Sequence, residues 1–235
     1  MSSRIRTGYC LTFVMLFAIG CIWPVMAGPV SAVTVRVACV GDSITYGAFI
    51  QRNRLAHAWP GALQKMLGRH YRVVNFGCCG ATMLKKGNRP YWKTGTFRES
   101  TKFNPNIVLI MLGTNDTKPK NWQKCGSDFA ADAEAMIQHF EQLRSHPRVY
   151  ICTPPPVAKS GSFSDINEKT LVDGVIPAIK KAAQMTGIKV VHVHGQMLKL
   201  ITKPLPDYYA AHGVHPIATG QAIMARIIYD TVLAH

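Results

Sequence analysis

A serine stands where an apolar run gives way to the stretch GDSITYG, from Gly41 to Gly47. Gly41 permits a sharp turn, so Ser43 is expected at or near the start of a helix, where backbone N–H groups favour negative charge. Asp42 or Ser43 could serve only as a cap of that helix. The alternative is a serine nucleophile exposed at the end of a strand, which is the first requirement of acyl transfer.

Two further stretches offer amide N–H groups. NFGCCGATM, residues 75–83, contains Gly80, whose backbone N–H could approach a ligand, although an ordinary glycine-rich turn has the same composition. GTND, residues 113–116, contains Asn115, which is either a turn residue or a side-chain donor to a developing oxyanion.

A histidine precedes a predicted helix near the C-terminus. HGVHPIATG, residues 212–220, contains His215 and then Pro216 in the first helical turn, where a missing N–H is not needed. A serine, a glycine amide, an asparagine amide and a histidine together supply the nucleophile, oxyanion donors and base that acyl transfer needs.

These residues need a scaffold that brings them to one edge. Strands alternate with helical patterns along the chain, and two helix boundaries are marked by Pro177, a predicted kink, and Gly187, a predicted end. The alternation predicts an α/β fold, a flavodoxin-like three-layer α/β/α sandwich with a central parallel sheet of about five strands. Sites in such sheets lie at the carboxyl ends of the strands. The apolar runs predict strands at residues 33–41, 71–77, 106–113, 148–154 and 188–195.

The blocks GDSITYG, NFGCCGAT, GTND and GVHP resemble, in this order, those of the SGNH or GDSL-type hydrolases. The resemblance extends from about residue 35 to residue 232. The stretch from GDSITYG to NFGCCGATMLKKGNRPYWK is most similar to carbohydrate esterases such as acetylxylan and sialate O-acetylesterases. It implies a serine esterase that acts on acetyl esters, with O-acetyl groups of a carbohydrate as the expected substrate.

The resemblance also implies a role for each motif residue. Ser43 is the expected nucleophile and His215 the expected general base, while Ser43 N–H, Gly80 N–H and the Asn115 side chain are the expected oxyanion donors. The implied mechanism passes through an acyl-enzyme and needs no metal or organic cofactor.

One position departs from the family pattern. An aspartate usually stands three residues before the catalytic histidine, and this sequence has His212 there. Three arrangements stay open: a dyad oriented by His212 or by a backbone carbonyl, a carboxylate supplied by Asp207, or a weakened or inactive member that binds carbohydrate. We predict the dyad, because the other four residues are present. A lysophospholipase or other lipid esterase is a further alternative.

The segment KKGNRPYWKTGTFRES, residues 85–100, follows the glycine-rich stretch and is typical of a solvated surface loop. Beside the site that the resemblance implies, Arg89, Tyr91 and Trp92 become predicted substrate-binding residues. Aromatic faces stack on sugar rings, and arginine pairs with carboxylates.

Residues 1–32 are predicted to be a secretory signal peptide. Arg4 and Arg6 precede an apolar run, and small residues offer cleavage points after Ala27 and after Ala32. A permanent anchor and lipid attachment at Cys21 are the alternatives, although no basic stop-transfer cluster follows the run. We expect a secreted or periplasmic protein with residues 33–235 as one domain and no stable membrane span in the mature form.

The formal net charge of +15 is compatible with an anionic partner, but its scattered positive residues and predicted export argue against nucleic acid. A small-molecule or glycan ester is the expected partner. Cys39 and Cys152 lie in strand-like runs and are expected to be buried thiols, whereas Cys78 or Cys79 could bridge to Cys125. The cysteine spacing does not predict a zinc site.

Overall fold

Five parallel strands form the central sheet of the computed structural model, which describes residues 34–160, 163 and 165–232. The predicted signal peptide and its cleavage points lie outside the described residues. The strand order is β2-β1-β3-β4-β5, which is the flavodoxin-like order. The strands are β1 (Val35–Gly41), β2 (Tyr71–Gly77), β3 (Ile107–Met111), β4 (Arg148–Cys152) and β5 (Lys189–Val191).

Helices cover both faces of the sheet. The helices are α1 (Ser43–Tyr46), α2 (Arg54–His57), α3 (Trp59–Leu67), α4 (Gly95–Lys102), α5 (Pro119–Cys125), α6 (Phe129–Glu141), α7 (Glu168–Thr170), α8 (Ile176–Thr186), α9 (Val193–Leu200) and α10 (Ala218–Val232). On one face α6 and α8 contribute Phe140 and Ile179 to a buried cluster, and on the other α3, α9 and α10 contribute Trp59, Met197 and Met224. The predicted three-layer α/β/α sandwich is therefore confirmed.

The helix boundaries predicted at Pro177 and Gly187 are both present. A π-turn over Leu171–Val175 joins α7 to α8, directly before Pro177, which has no N–H to donate to the preceding turn. Gly187 has a φ of +75° and ends α8.

Two predicted boundaries are wrong. Strand β5 stops at Val191, not at 195, because the chain turns into α9 and His194 N–H donates a hydrogen bond of 3.0 Å to Thr153 Oγ1. The predicted loop at 85–100 contains the start of α4, whose first turn is capped by Thr94 Oγ1, which accepts from Phe97 N–H at 3.1 Å.

The five described cysteines are free thiols, so the bridge considered from Cys78 or Cys79 to Cys125 does not form in the structure. Cys39 and Cys152 are fully buried in strands, as predicted. No helix among the described residues has the length and apolar character needed to cross a bilayer.

Candidate active site

Ser43 and His215 meet at the carboxyl edge of the sheet. Ser43 opens α1 directly after β1, and its Oγ lies 2.7 Å from His215 Nε2. His215 is 3 % exposed. The cap of α1 is Asp42, whose Oδ1 accepts from Ile44 N–H at 2.8 Å. Ser43 is therefore not needed for capping, and its hydroxyl is turned toward the histidine.

The buried side chain of Gln221 holds α10 against the elements beside Ser43. Trp59 N–H donates to Gln221 Oε1 at 2.8 Å, and Gln221 Nε2 donates to Ile44 O at 3.0 Å. Because Ile44 follows Ser43 and α10 follows His215, this amide fixes the distance between the two parts of the chain.

The turn after β3 holds the glycine-rich loop after β2. Both carboxylate oxygens of Asp116 accept backbone N–H groups of this loop, from Met83 at 3.0 Å and from Leu84 at 2.8 Å. Asn115 Nδ2 donates to Ala81 O at 3.1 Å. The loop backbone is thereby fixed beside Gly80, which has a φ of +76°.

The four predicted residues share one open cavity of about 270 Å³. Ser43, Gly80, Asn115 and His215 all line it, so the structure brings them together. The remaining lining residues are Ala48, Phe49, Cys79, Arg89, Lys118, Phe163 and Ile166. No cluster of three or more metal-ligating side chains occurs among the described residues.

His212, not Asp207, faces the outer nitrogen of His215. His212 Nε2 lies 3.3 Å from His215 Nδ1, and Val214 N–H donates to His212 Nδ1 at 3.2 Å. Asp207 is exposed in the 3₁₀ turn Leu205–Tyr208 and makes no hydrogen bond to His215 within the described part of the chain. The structure thus favours the predicted pairing of the two histidines.

The contact between Val214 N–H and His212 Nδ1 favours one placement of the protons in the neutral pair. A ring nitrogen that accepts a backbone N–H carries no proton, so neutral His212 has its proton on Nε2. That N–H donates to His215 Nδ1, and the proton of neutral His215 then lies on Nε2, facing Ser43 Oγ. In this placement the resting tautomer of His215 is the reverse of the one that accepts a serine proton.

Burial controls the charges around the site. Burial, the neighbouring His212 and the charge of Lys118 lower the pKa of His215 to about 4. His215 is thus neutral at pH 7. Burial also raises the pKa values of Asp42 and Asp116 to about 7, so neither carboxyl group is fully ionised at neutral pH.

Two predicted substrate-binding residues are not at the cavity. Tyr91 is fully buried and its hydroxyl donates to Phe76 O at 2.7 Å, so its ring cannot stack on a sugar. Trp92 Nε1–H donates to Met83 O at 3.0 Å and its ring packs against Phe97, with centroids 5.3 Å apart. The structure places both rings in the packing of the loop against the core and not among the residues that line the cavity. Arg89 does line the cavity.

The cavity residues that sequence reasoning missed include a lysine and two aromatic residues. Lys118 lies two residues after the GTND stretch and directly before Pro119, and this position was an available signal. Phe49 and Phe163 have no motif. Phe49 packs against both histidines, with ring centroids 4.6 Å from His212 and 4.7 Å from His215.

Comparison with known proteins adds independent findings. A family model described as GDSL-like lipase/acylhydrolase matches residues 39–223. An acetylxylan esterase from Xylanibacter ruminicola is 36% identical over 211 residues, which cover 83% of this chain and 42% of that protein. The chain therefore spans less than half the length of this curated relative.

Solved structures share the fold. An aryl esterase of M. smegmatis aligns with a TM-score of 0.66 and 19% identity, covering 86% of this chain and 99% of that one. A carbohydrate acetylesterase family member from Sinorhizobium meliloti aligns with a TM-score of 0.65 and 20% identity, covering 85% of this chain and 97% of that one.

Proposed function

The chain belongs to the GDSL-like lipase/acylhydrolase family, and from that premise we propose that it is a serine carboxylic-ester hydrolase that removes acetyl groups from a carbohydrate. The observation that carries the proposal is the 2.7 Å contact between Ser43 Oγ and His215 Nε2. The match to an acetylxylan esterase supports the choice of acyl group and of substrate class.

The first half of the proposed reaction forms an acetyl-enzyme. Ser43 Oγ attacks the ester carbonyl carbon while its proton passes to His215 Nε2, and the carbonyl electron pair moves to the oxygen. The tetrahedral intermediate collapses, and the sugar oxygen leaves with the proton from His215. In the second half, water gives a proton to His215 Nε2 and attacks the acetyl carbon. The second tetrahedral intermediate collapses, the bond from Ser43 Oγ to the acetyl carbon breaks, and His215 returns the proton to Ser43 Oγ as acetate leaves.

The oxyanion is stabilised in this proposal by Ser43 N–H, Gly80 N–H and Asn115 Nδ2. One Asn115 hydrogen is held by Ala81 O, and the other makes a long contact of 3.4 Å with Asp42 Oδ2. Because the second hydrogen bond is weak, we expect this hydrogen to be the one that is given to the oxyanion.

Attack requires a change of tautomer in the histidine pair. His215 Nε2 must be free of a proton to accept the one from Ser43. The proton of neutral His215 must then lie on Nδ1, and this N–H donates a hydrogen bond to His212 Nε2. His212 would then carry its own proton on Nδ1, where Val214 N–H also points. The reactive pair is thus less favourable than the resting pair, and we propose a slow but real esterase.

The proposed place of action is outside the cytoplasm, secreted or periplasmic. The support is the sequence pattern of residues 1–32, with its basic start, apolar run and small residues. N-terminal sequencing of protein exported by its native host tests it. Cleavage after Ala27 or Ala32 is expected, and an intact N-terminus would contradict it.

Hydrolysis of p-nitrophenyl acetate by the purified chain, with Ser43→Ala as the blank, tests the proposed activity. Wild-type turnover that is absent from the blank is expected. Equal rates for both proteins would remove the serine esterase proposal. A second candidate, an inactive carbohydrate-binding member, is favoured by one observation, the histidine at the usual aspartate position. Retained binding of an acetylated xylan without release of acetate would support that candidate.

A further inference from the structure

Lys118 is a mostly buried cation that forms no ion pair with the described residues. Its side chain belongs to a residue that is 9% exposed, and it makes no hydrogen bond or ion pair within the described residues. Every fully buried side-chain nitrogen and oxygen atom in this part of the chain has a partner. The ammonium group is therefore in contact with solvent, and Lys118 lines the cavity that contains Ser43.

Nearby carboxylates do not neutralise this ammonium. Asp42, Asp116 and Asp165 act on Lys118 electrostatically, but none makes an ion pair with it at 4.0 Å or less. Burial leaves Asp42 and Asp116 only partly ionised at pH 7, because it raises both pKa values to about 7. Because this ammonium opens to the cavity and has no fixed counter-charge, an anion bound in the cavity would supply one.

A second cation faces the same space. Arg89 lines the cavity, and its Cδ lies 3.5 Å from the point where a Cβ on Gly80 would be. No ion pair of Arg89 occurs among the described residues, and no aspartate or glutamate lines the cavity. A planar guanidinium and a point-like ammonium, which come from different loops and line the same cavity, suit one carboxylate group.

We propose that Arg89 and Lys118 form an anion-binding subsite for a carboxylate on the alcohol part of the ester, so that the preferred substrates are acetyl esters of acidic sugars. The inference rests on the proposed function. An acetyl group carries no charge, so the anion of an acetyl ester must belong to the leaving alcohol. Lys118 and Arg89 are specificity-determining residues in this assignment.

The test compares esters that differ by one charge. In the first pair, 4-acetoxybenzoate has a negative charge on the leaving group and its methyl ester has none. The second pair, acetylated methyl glucuronoside and its methyl ester, differs in the same way on a sugar. In the third pair, p-nitrophenyl hydrogen succinate has the negative charge on the acyl side and p-nitrophenyl methyl succinate is its neutral partner. The measured quantity is the ratio of kcat/KM for the charged ester to that for its neutral partner, which is compared between proteins.

Lys118→Met and Arg89→Gln are each expected to lower the leaving-group ratio about 10-fold, the usual cost of losing one charged hydrogen bond. Methionine keeps the buried stem of Lys118. Lys120→Gln is the matched control, because Lys120 is an exposed lysine two residues away, in the first turn of α5, and its loss removes the same net charge. Its ratio is expected to equal that of the wild type.

Two results would overturn the subsite: an unchanged ratio in both variants, which includes an equal loss on charged and neutral esters, or an effect confined to the succinate pair. An equal loss would mean that Lys118 acts on the oxyanion or on His215. If Lys118→Met fails to fold, the same ratio is measured for Arg89→Gln, which changes an exposed side chain. Ser43-dependent hydrolysis of p-nitrophenyl acetate distinguishes these failures from a failure of the esterase proposal itself.

Discussion

His212 Nε2 lies 3.3 Å from His215 Nδ1, and the Val214 N–H held by His212 Nδ1 makes His212 the donor of that contact in the resting pair. An aspartate at position 212 has two acceptor oxygens and no proton at neutral pH. It could accept Val214 N–H through one oxygen and His215 Nδ1–H through the other. The reactive tautomer of His215 would then be the stable one.

His212→Asp is therefore expected to raise kcat/KM on an acetyl ester ten-fold or more, which is about 1.4 kcal/mol of barrier. His212→Asn is the matched control, since it offers an acceptor oxygen without negative charge, and a smaller gain is expected. Asp207→Asn should leave the rate unchanged. A loss of activity in Asp207→Asn together with no gain in His212→Asp would identify Asp207 as the acid.

The acid limb of the pH–rate profile should lie unusually low. Burial, the neighbouring His212 and the charge of Lys118 lower the pKa of His215 to about 4, so the base stays neutral as the pH falls from 7 and is protonated only near that value. The measurement is kcat/KM on p-nitrophenyl acetate from about pH 4 to about pH 9.

The matched variant for this profile is His212→Asp, in which the new carboxylate favours the imidazolium and should move the limb to higher pH. Circular dichroism at each pH shows that the fold persists. A wild-type limb close to 6.5, the ordinary histidine value, would mean that His215 is not the buried base.

Asn115→Ala is expected to slow acyl transfer by roughly 10²–10³ while the fold stays intact. Its melting temperature should fall by a few degrees, because Ala81 O loses the hydrogen bond from Asn115 Nδ2. Asn106→Ala is the control, since Asn106 Oδ1 accepts from Arg36 N–H at the opposite end of the sheet. A normal rate in Asn115→Ala would leave Asn115 as a turn residue only.

Activity is expected to fall steeply as the acyl chain grows beyond acetate. A cavity of about 270 Å³ that must also receive part of the alcohol leaves little room for a long chain. The measurement is kcat/KM along a series of p-nitrophenyl esters from acetate to octanoate, with the Ser43→Ala rates subtracted. Faster hydrolysis of octanoate would favour the lipid esterase alternative.

The fold and the four motif residues could be predicted because their signals are local. Apolar runs marked all five strands, and the turn residues after them placed Ser43, Gly80 and Asn115 at one edge. The failure at Tyr91 has a different origin. An aromatic residue near a site can face the ligand or the core, and the hydrogen bond to Phe76 O that settles this is a tertiary contact.

The proton positions in the histidine pair were also beyond sequence reasoning. They depend on the direction of one backbone N–H, that of Val214, and a motif does not specify it. Lys118 was missed for a similar reason, because a lysine after a turn is usually solvated and only its 9% exposure distinguishes it.

The contact between Ser43 and His215 spans 172 residues, and the Gln221 bonds that support it span 162 and 177. Contacts this distant along the chain form late in folding, since their loop-closure entropy must be overcome first. During synthesis, Ser43 therefore cannot form its supported contact with His215 until the chain has grown past Gln221. On refolding, recovery of esterase activity should lag behind recovery of the sheet and report the docking of α10.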